Sequence, residues 1–181
     1  MEASVTELPG LLILKPRVFA DERGHFFEMH NQRDFAALTG FETAFVQDNQ
    51  SRSKRGVLRG LHYQNPQPQG KLVHVLAGEI FDVVVDLRRS SPTFAKSATI
   101  RLSADNPLAL WVPPGFAHGF LTMSDFAEVM YKATGYYAPQ YEHCIRWDDP
   151  QLAIAWPLDG APAMSPKDRC GKLLRDSAVF A

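Results

Sequence analysis

Cysteine is nearly absent from this chain. Only Cys144 and Cys170 occur among its 181 residues, in no CxxC pair and at no zinc-like spacing. Neither a disulfide-stapled scaffold nor a zinc module is therefore on offer. Two free thiols in a reducing cytoplasm are expected, although the spacing leaves a disulfide between them open. A surplus of positive charge is missing as well: 19 Lys+Arg face 20 Asp+Glu, for a net charge of −1. Broad nucleic-acid binding needs cations to neutralise many phosphates, so no nucleic-acid partner is expected. A small phosphorylated ligand needs only a few placed cations. No apolar run approaches the ~20 residues that span a bilayer. Met1–Gly10 carries Glu2 and Glu7 where a signal peptide would be basic and then apolar. The expectation is a soluble, cytoplasmic protein without a membrane partner. Repeats, low-complexity tracts and linkers are also lacking, which leaves one domain over residues 1–181.

What is present is short-period punctuation. Thirteen prolines and twelve glycines leave little room for long helices. Between them lie runs rich in Val, Ile, Phe, Tyr and Trp that suit half-buried strands: Leu11–Leu14, His25–His30, Ala44–Asn49, Val57–Gln64, Lys71–Ala77, Ile80–Leu87, Ser97–Leu102, Leu108–Val112 and Glu128–Tyr137. With 45% hydrophobic residues the chain can bury a substantial core. Two short helices are predicted. One is capped by Asn31, runs over Gln32–Leu38 and ends at Gly40; the other runs from Ser165 through Leu174. Many strands with turn residues between them indicate a mostly β protein, a jelly-roll β-sandwich or barrel.

The richest stretch chemically is Gly56–Gln64, where Arg59 and His62 stand three residues apart across Gly60. On a regular strand they would point to opposite faces. Either only one faces the interior, or Gly60 marks a bulge that re-aims the chain. Taken alone, His62 reads more readily as a buried, hydrogen-bonded histidine than as a catalyst. Trp111–Phe120 holds a Pro-x-Gly-x-x-His pattern ending at His118, similar to the second motif of cupins, where the histidine commonly binds metal. The first cupin motif would supply His-x-His, but His62-Tyr63-Gln64 offers a single imidazole. A typical site needs three or four ligands, so no metal is expected and His118 reads as a donor or orienting group. Arg52, Lys54 and Arg55 read as a solvated basic loop.

Seven blocks, in this order and spacing, resemble the dTDP-4-dehydrorhamnose 3,5-epimerase family of the cupin superfamily. They are Phe19–Gly24, Phe45–Asn49, Gly56–Gln64, Gln69–Val73, Phe116–Phe120, Val129–Lys132 and Ser165–Asp168. The resemblance runs from about Gly10 to about Leu174 and implies a cupin-type jelly roll. It further implies a homodimer, a dTDP-keto-sugar substrate, and no metal or organic cofactor. The implied reaction inverts C3 and C5 of dTDP-4-dehydro-6-deoxy-D-glucose to give dTDP-4-dehydro-L-rhamnose.

The same resemblance assigns His62 as general base and Asp168 as its carboxylate partner. Lys71 becomes the cation beside the enolate, and Tyr131 the proton donor on the other face of the sugar. Histidine suits the first role because its ordinary pKa of ~6.5 leaves it neutral yet basic near pH 7. Read without the resemblance, Lys71 is a surface lysine, Tyr131 a core aromatic and Asp168 a helix-terminus acid. Substrate contacts carry over to Arg23, Phe26, Glu28, Gln47, Asn49, Arg59, His118, Tyr137, Glu142 and Lys167. Among these, Arg23, Arg59 and Lys167 suit a diphosphate, and Tyr137 suits stacking on thymine. Gln47 and Asn49, two apart, share one strand face, as do Phe26 and Glu28. Three rivals stand beside this reading: an epimerase that inverts one centre, a metal-dependent cupin oxygenase and a sugar-binding module without catalysis.

Overall fold

A computed structural model describes residues 1–181. Its strands are β1 (Glu2–Val5), β2 (Leu12–Lys15), β3 (Val18–Asp21), β4 (Gly24–Phe27), β5 (Gln47–Lys54), β6 (Leu58–Gln64), β7 (Lys71–Ala77), β8 (Glu79–Asp86), β9 (Ser97–Ser103), β10 (Ala109–Val112), β11 (Phe116–Thr122), β12 (Phe126–Ala133) and β13 (Glu142–Cys144). The helices are α1 (Gln32–Thr39) and α2 (Pro166–Arg169). Two sheets stack as a sandwich, one in the order β1-β2-β10-β7-β12-β5 and the other β13-β6-β11-β8-β9. Every pairing between these strands is antiparallel. The hairpin β3-β4 stands apart as its own small sheet.

Period-two alternation explains the layering. Along β8, Ile80 and Val84 join Val73, Val129, Leu110, Phe116 and Phe120 between the sheets. Val83 and Val85 point outward, where Ile145, Leu152 and Leu174 of the C-terminal segment cover them. Both faces of β8 are buried, and its residues are apolar apart from Glu79, Asp82 and Asp86. Helix α1 forms where the sequence predicts it. The Asn31 side chain accepts from the Arg33 and Asp34 amides at 3.1 and 3.3 Å, and Gly40 ends the helix at φ 69°. Its one buried residue, Phe35, packs edge-on to Trp111 with ring centroids 4.9 Å apart. Burial of such a side chain contributes about 1.5–3 kcal/mol.

Several boundaries differ from the sequence reading. Strand β5 begins at Gln47 and continues through Arg52 and Lys54, which were expected in a loop. It is an edge strand paired with β12, where polar side chains suffice. Arg52 there meets Glu128 at 3.0 Å and stacks over Phe126. Strand β12 ends at Ala133 instead of Tyr137, because Gly135 opens a turn whose carbonyl the Gln69 amide binds at 2.6 Å. Helix α2 stops at Arg169 well short of Leu174. Gly171 lies against the backbone of Ile145 and Arg146, and the chain then bridges Ile145 at Lys172. Strands β1, β3, β11 and β13 lie outside the predicted set.

Candidate active site

The departure asked of Gly60 is present. Across from β11, His62 pairs with His118 and Arg59 with Phe120, so three steps along β6 span two along its partner. Gly60 has φ 111°, and a Cβ there would lie 2.7 Å from the His118 carbonyl oxygen. Only glycine fits that backbone. Because of this bulge, Arg59 and His62 both reach the gap between the sheets. Arg59 donates across it to Ser53 Oγ on β5 at 2.9 Å, while His62 opens onto a cleft shared with Gln64, Lys71, Tyr131, Tyr137 and Glu142.

His62 Nε2 meets Asp168 Oδ1 at 2.6 Å, with Asp168 only 5% exposed. Asp168 also occupies the first turn of α2, its amide donating to the capping Ser165 Oγ at 3.1 Å. The carboxylate partner and the helix-terminus acid are thus the same residue. Burial pushes the Asp168 carboxyl up, but the bond and charge of His62, with further bonds from Ser165 and Gly60, hold it below the usual carboxylate range. It is therefore ionised at neutral pH. With Nε2 donating to Asp168, the His62 Nδ1 lone pair is left to accept a proton.

Lys71 opens β7 on the opposite sheet. Its ammonium makes no ion pair, and its nearest acceptor is the His62 carbonyl at 3.5 Å. Burial lowers its pKa to about 8 against the charges of Glu142 and Asp82. Tyr131 on β12 stands 5.8 Å from that ammonium, measured to the ring centre. Burial and Glu142 raise its phenol, while Arg59 lowers it. At the mouth, Tyr137 Oη donates to Glu142 at 2.5 Å and Lys167 forms an ion pair with the same carboxylate. Burial raises Glu142, and the bonds from Lys167 and Tyr137 pull it back below its ordinary value. Gln47 accepts from the Tyr137 amide at 2.9 Å and donates to Asn49 at 2.8 Å. One edge of the cleft is fixed in this way.

His118 is buried, and its Nε2 meets Asp82 at 2.8 Å. Although His118 and His62 are register partners, each ring is committed to its own carboxylate. Asp82 escaped the sequence reading; its only signal was an acid at an inward position of the apolar run Ile80–Leu87. It is fully buried, with Oδ1 lacking a protein partner. Ser53 and Gln64 were likewise missed. Gln64 accepts from the Ala138 amide at 2.9 Å and so seats the Tyr137 loop. Cys144, the register partner of His62 on β13, has its thiol pushed up to about 12 by burial and by the charges of Asp168 and Glu142.

Arg23, Phe26 and Glu28 are not among the residues that line this cleft within one chain. Arg23 is 85% exposed at the tip of the β3-β4 hairpin, paired with Asp21 at 2.6 Å. Phe26 is 71% exposed. Strand β4 ends at Phe27, so Glu28 leaves the strand face expected to hold it beside Phe26 and instead accepts from Asn31.

A jelly-roll sandwich with a His–Asp dyad on one sheet, and an enclosed lysine and a tyrosine on the other, is the frame of a cupin-type proton-transfer enzyme. Comparison with known proteins narrows this. The family model for dTDP-4-dehydrorhamnose 3,5-epimerase matches residues 5–176, and the chain belongs to that family. The dTDP-4-dehydrorhamnose 3,5-epimerase of Pseudomonas aeruginosa is 54% identical over 180 residues, 99% of each chain. A crystal structure of the Legionella pneumophila dTDP-6-deoxy-D-glucose-3,5-epimerase with dTDP-4-keto-L-rhamnose superposes with a TM-score of 0.94 at 50% identity, covering 97% of this chain and 93% of that one. A 3'-monoepimerase from Streptomyces bikiniensis, in complex with dTDP-quinovose, matches with a TM-score of 0.89 at 33% identity, over 94% and 86% of the two chains.

Proposed function

We propose that residues 1–181 act as one cupin-like epimerase domain that inverts C3 and C5 of dTDP-4-dehydro-6-deoxy-D-glucose, giving dTDP-4-dehydro-L-rhamnose for dTDP-rhamnose biosynthesis. The observation that carries this reading is the placement of His62 and Tyr131 on facing sheets of one cleft. Inversion needs a base on one face of the sugar and an acid on the other, and a sandwich supplies both walls. His62 Nδ1 takes the proton from a carbon beside the C4 ketone. The electrons move onto the C4 oxygen, where the half-buried Lys71 ammonium stabilises the enolate. Tyr131 then delivers a proton to the opposite face. Repeating the cycle at the other carbon completes the reaction. His62 sheds its proton and Tyr131 regains one by exchange with solvent. Double inversion is preferred over inversion at one centre because the Pseudomonas and Legionella 3,5-epimerases match at 54% and 50% identity and the 3'-monoepimerase at 33%.

Tyr131→Phe separates the two halves of the cycle. In D₂O this variant is expected to keep exchanging the substrate hydrogen within a few-fold of wild type, while inverted product falls at least ~10-fold. Equal losses in both would remove Tyr131 from the donor role.

Arg59 and Lys167 suit the diphosphate and Tyr137 the thymine. Arg23 and Phe26 enter through a second copy, which makes the working form a homodimer. The hairpin that carries them exposes Val18, Phe19 and Phe26 and is paired only to itself. That apolar surface suits burial against a partner subunit. Mixing His62→Ala with an Arg23→Ala/Phe26→Ala variant tests this. Hybrid dimers would regain one intact site, so activity should recover to about a quarter of wild type. No recovery after subunit exchange would place all these residues in one chain's site. The free thiols Cys144 and Cys170 are in keeping with work in the cytoplasm, and no helix is long and apolar enough to cross a membrane.

A further inference from the structure

Behind the His–Asp dyad lies a third donor that the reaction does not use. Cys144 sits opposite His62 in the β13-β6 register, and donor atoms of His62, Cys144 and Asp168 all lie within 4.8 Å of one another. Imidazole nitrogen, sulfur and carboxylate oxygen are the three ligand types that zinc takes up, at about 2.0–2.3 Å. Those bond lengths put neighbouring ligand atoms of a tetrahedral site roughly 3.3–3.7 Å apart. Closing the set from this spread asks the Cys144 sulfur to approach and His62 and Asp168, now 2.6 Å apart, to part. Cys144 also lines a second hollow, shared with Glu142, Lys167, Cys170 and Lys172.

We propose that His62, Cys144 and Asp168 form a binding site for a thiophilic divalent cation, Zn²⁺ being the natural probe, and that occupancy switches the enzyme off. This is not the usual metal position of a cupin, since its ligands come from β6, β13 and α2 and His118 is held by Asp82. On binding, the thiol proton leaves to solvent and the Nε2 hydrogen passes to Nδ1, so that Nε2 bonds the metal. The proton now on Nδ1 fills the lone pair that would attack substrate. The site also leaves a fourth position open for water. Three donors and an open position are the minimum for such a site. The inhibitory half of the proposal rests on His62 being the base; the binding half does not.

Co²⁺ titration of the purified protein tests the two halves separately. Wild type and Cys170→Ser should develop an intense thiolate-to-Co²⁺ absorption in the near ultraviolet, which Zn²⁺ then displaces. Cys144→Ser and Cys144→Ala should lack it while keeping wild-type basal turnover. In the assay, Zn²⁺ should inhibit wild type reversibly, with EDTA restoring the rate, and both Cys144 variants should need at least ~10-fold more metal. A band absent from wild type, or retained without Cys144, would overturn the site. A band without inhibition would uphold metal binding at Cys144 and overturn the switch, while loss of deuterium exchange in His62→Gln decides independently whether His62 is the base.

Discussion

Replacing His62 by alanine is expected to lower epimerisation by roughly 10²–10⁴-fold, the range set by loss of a positioned general base. Two features of the site make the effect large. Asp168, ionised and 5% exposed, holds the ring at 2.6 Å and fixes which nitrogen carries the hydrogen. The register partner His118 cannot substitute, because it is buried against Asp82. Alanine also leaves the Asp168 carboxylate without its partner, which costs about 1–3 kcal/mol. His62→Gln is the companion variant, since its amide can still donate to Asp168 while being unable to take a proton. It should fold as wild type and remain as inactive as alanine. A glutamine variant with near-normal turnover would mean that His62 is structural.

The second large effect runs in opposite directions for activity and stability. Lys71→Met is expected to lower turnover by roughly 10²–10³-fold, as loss of a fixed cation beside a developing oxyanion does. It should also stabilise the fold by about 1–3 kcal/mol, discounted for the partial exposure of the residue. The reason is that Lys71 is charged in an enclosed place without an ion pair, its pKa lowered to about 8 from 10.5. Below pH 8 the native state bears the full cost of that charge. Between pH 8 and 10.5 the unfolded chain binds more protons than the native one, so wild-type stability rises with pH across that window. The advantage of methionine is thus complete at pH 7 and fades toward pH 10.5. Wild-type activity should fall on the same side, as pH passes about 8 and the ammonium is lost. Thermal melts at pH 7 and 10 with kcat at each would check both. A Lys71→Met protein that is less stable at pH 7, or that keeps its turnover, would contradict the account.

Much of this architecture was legible in the residues for physical reasons that can be named. Strand β7 was placed at its true bounds because Gly70 and Gly78 fence an uninterrupted run, and α1 because Asn31 and Gly40 supply its cap chemistry at both ends. The bulge at Gly60 followed from a conflict: two polar residues three apart cannot share a regular strand face. Other elements were hidden. Strand β11 is central and fully buried, yet its Gly119 and His118 read as a turn motif. Its glycine is demanded by the Arg59 carbonyl, which would stand 2.5 Å from a Cβ, and that is a contact no local pattern can announce. Strand β5 is polar because it is an edge, and polarity resembles a loop.

The site shows the same division. His62, Asp168, Lys71 and Tyr131 come from four separate elements, and only resemblance to a family could gather them before the fold was known. Asp82 was passed over because an acid in a strand that also carries Glu79 and Asp86 announces no partner in the sequence. Arg23 and Phe26 are exposed on the β3-β4 hairpin and Glu28 lies beyond the end of β4, placements that sequence blocks do not announce.

The most direct measurement of the central claim is hydrogen exchange at the sugar in D₂O, followed by NMR with dTDP-4-dehydro-6-deoxy-D-glucose. Wild type should place deuterium at both C3 and C5 as inverted product accumulates, and His62→Gln should place it at neither. Absence of deuterium from both carbons with wild type, or unchanged incorporation without the His62 imidazole, would contradict proton transfer by this dyad.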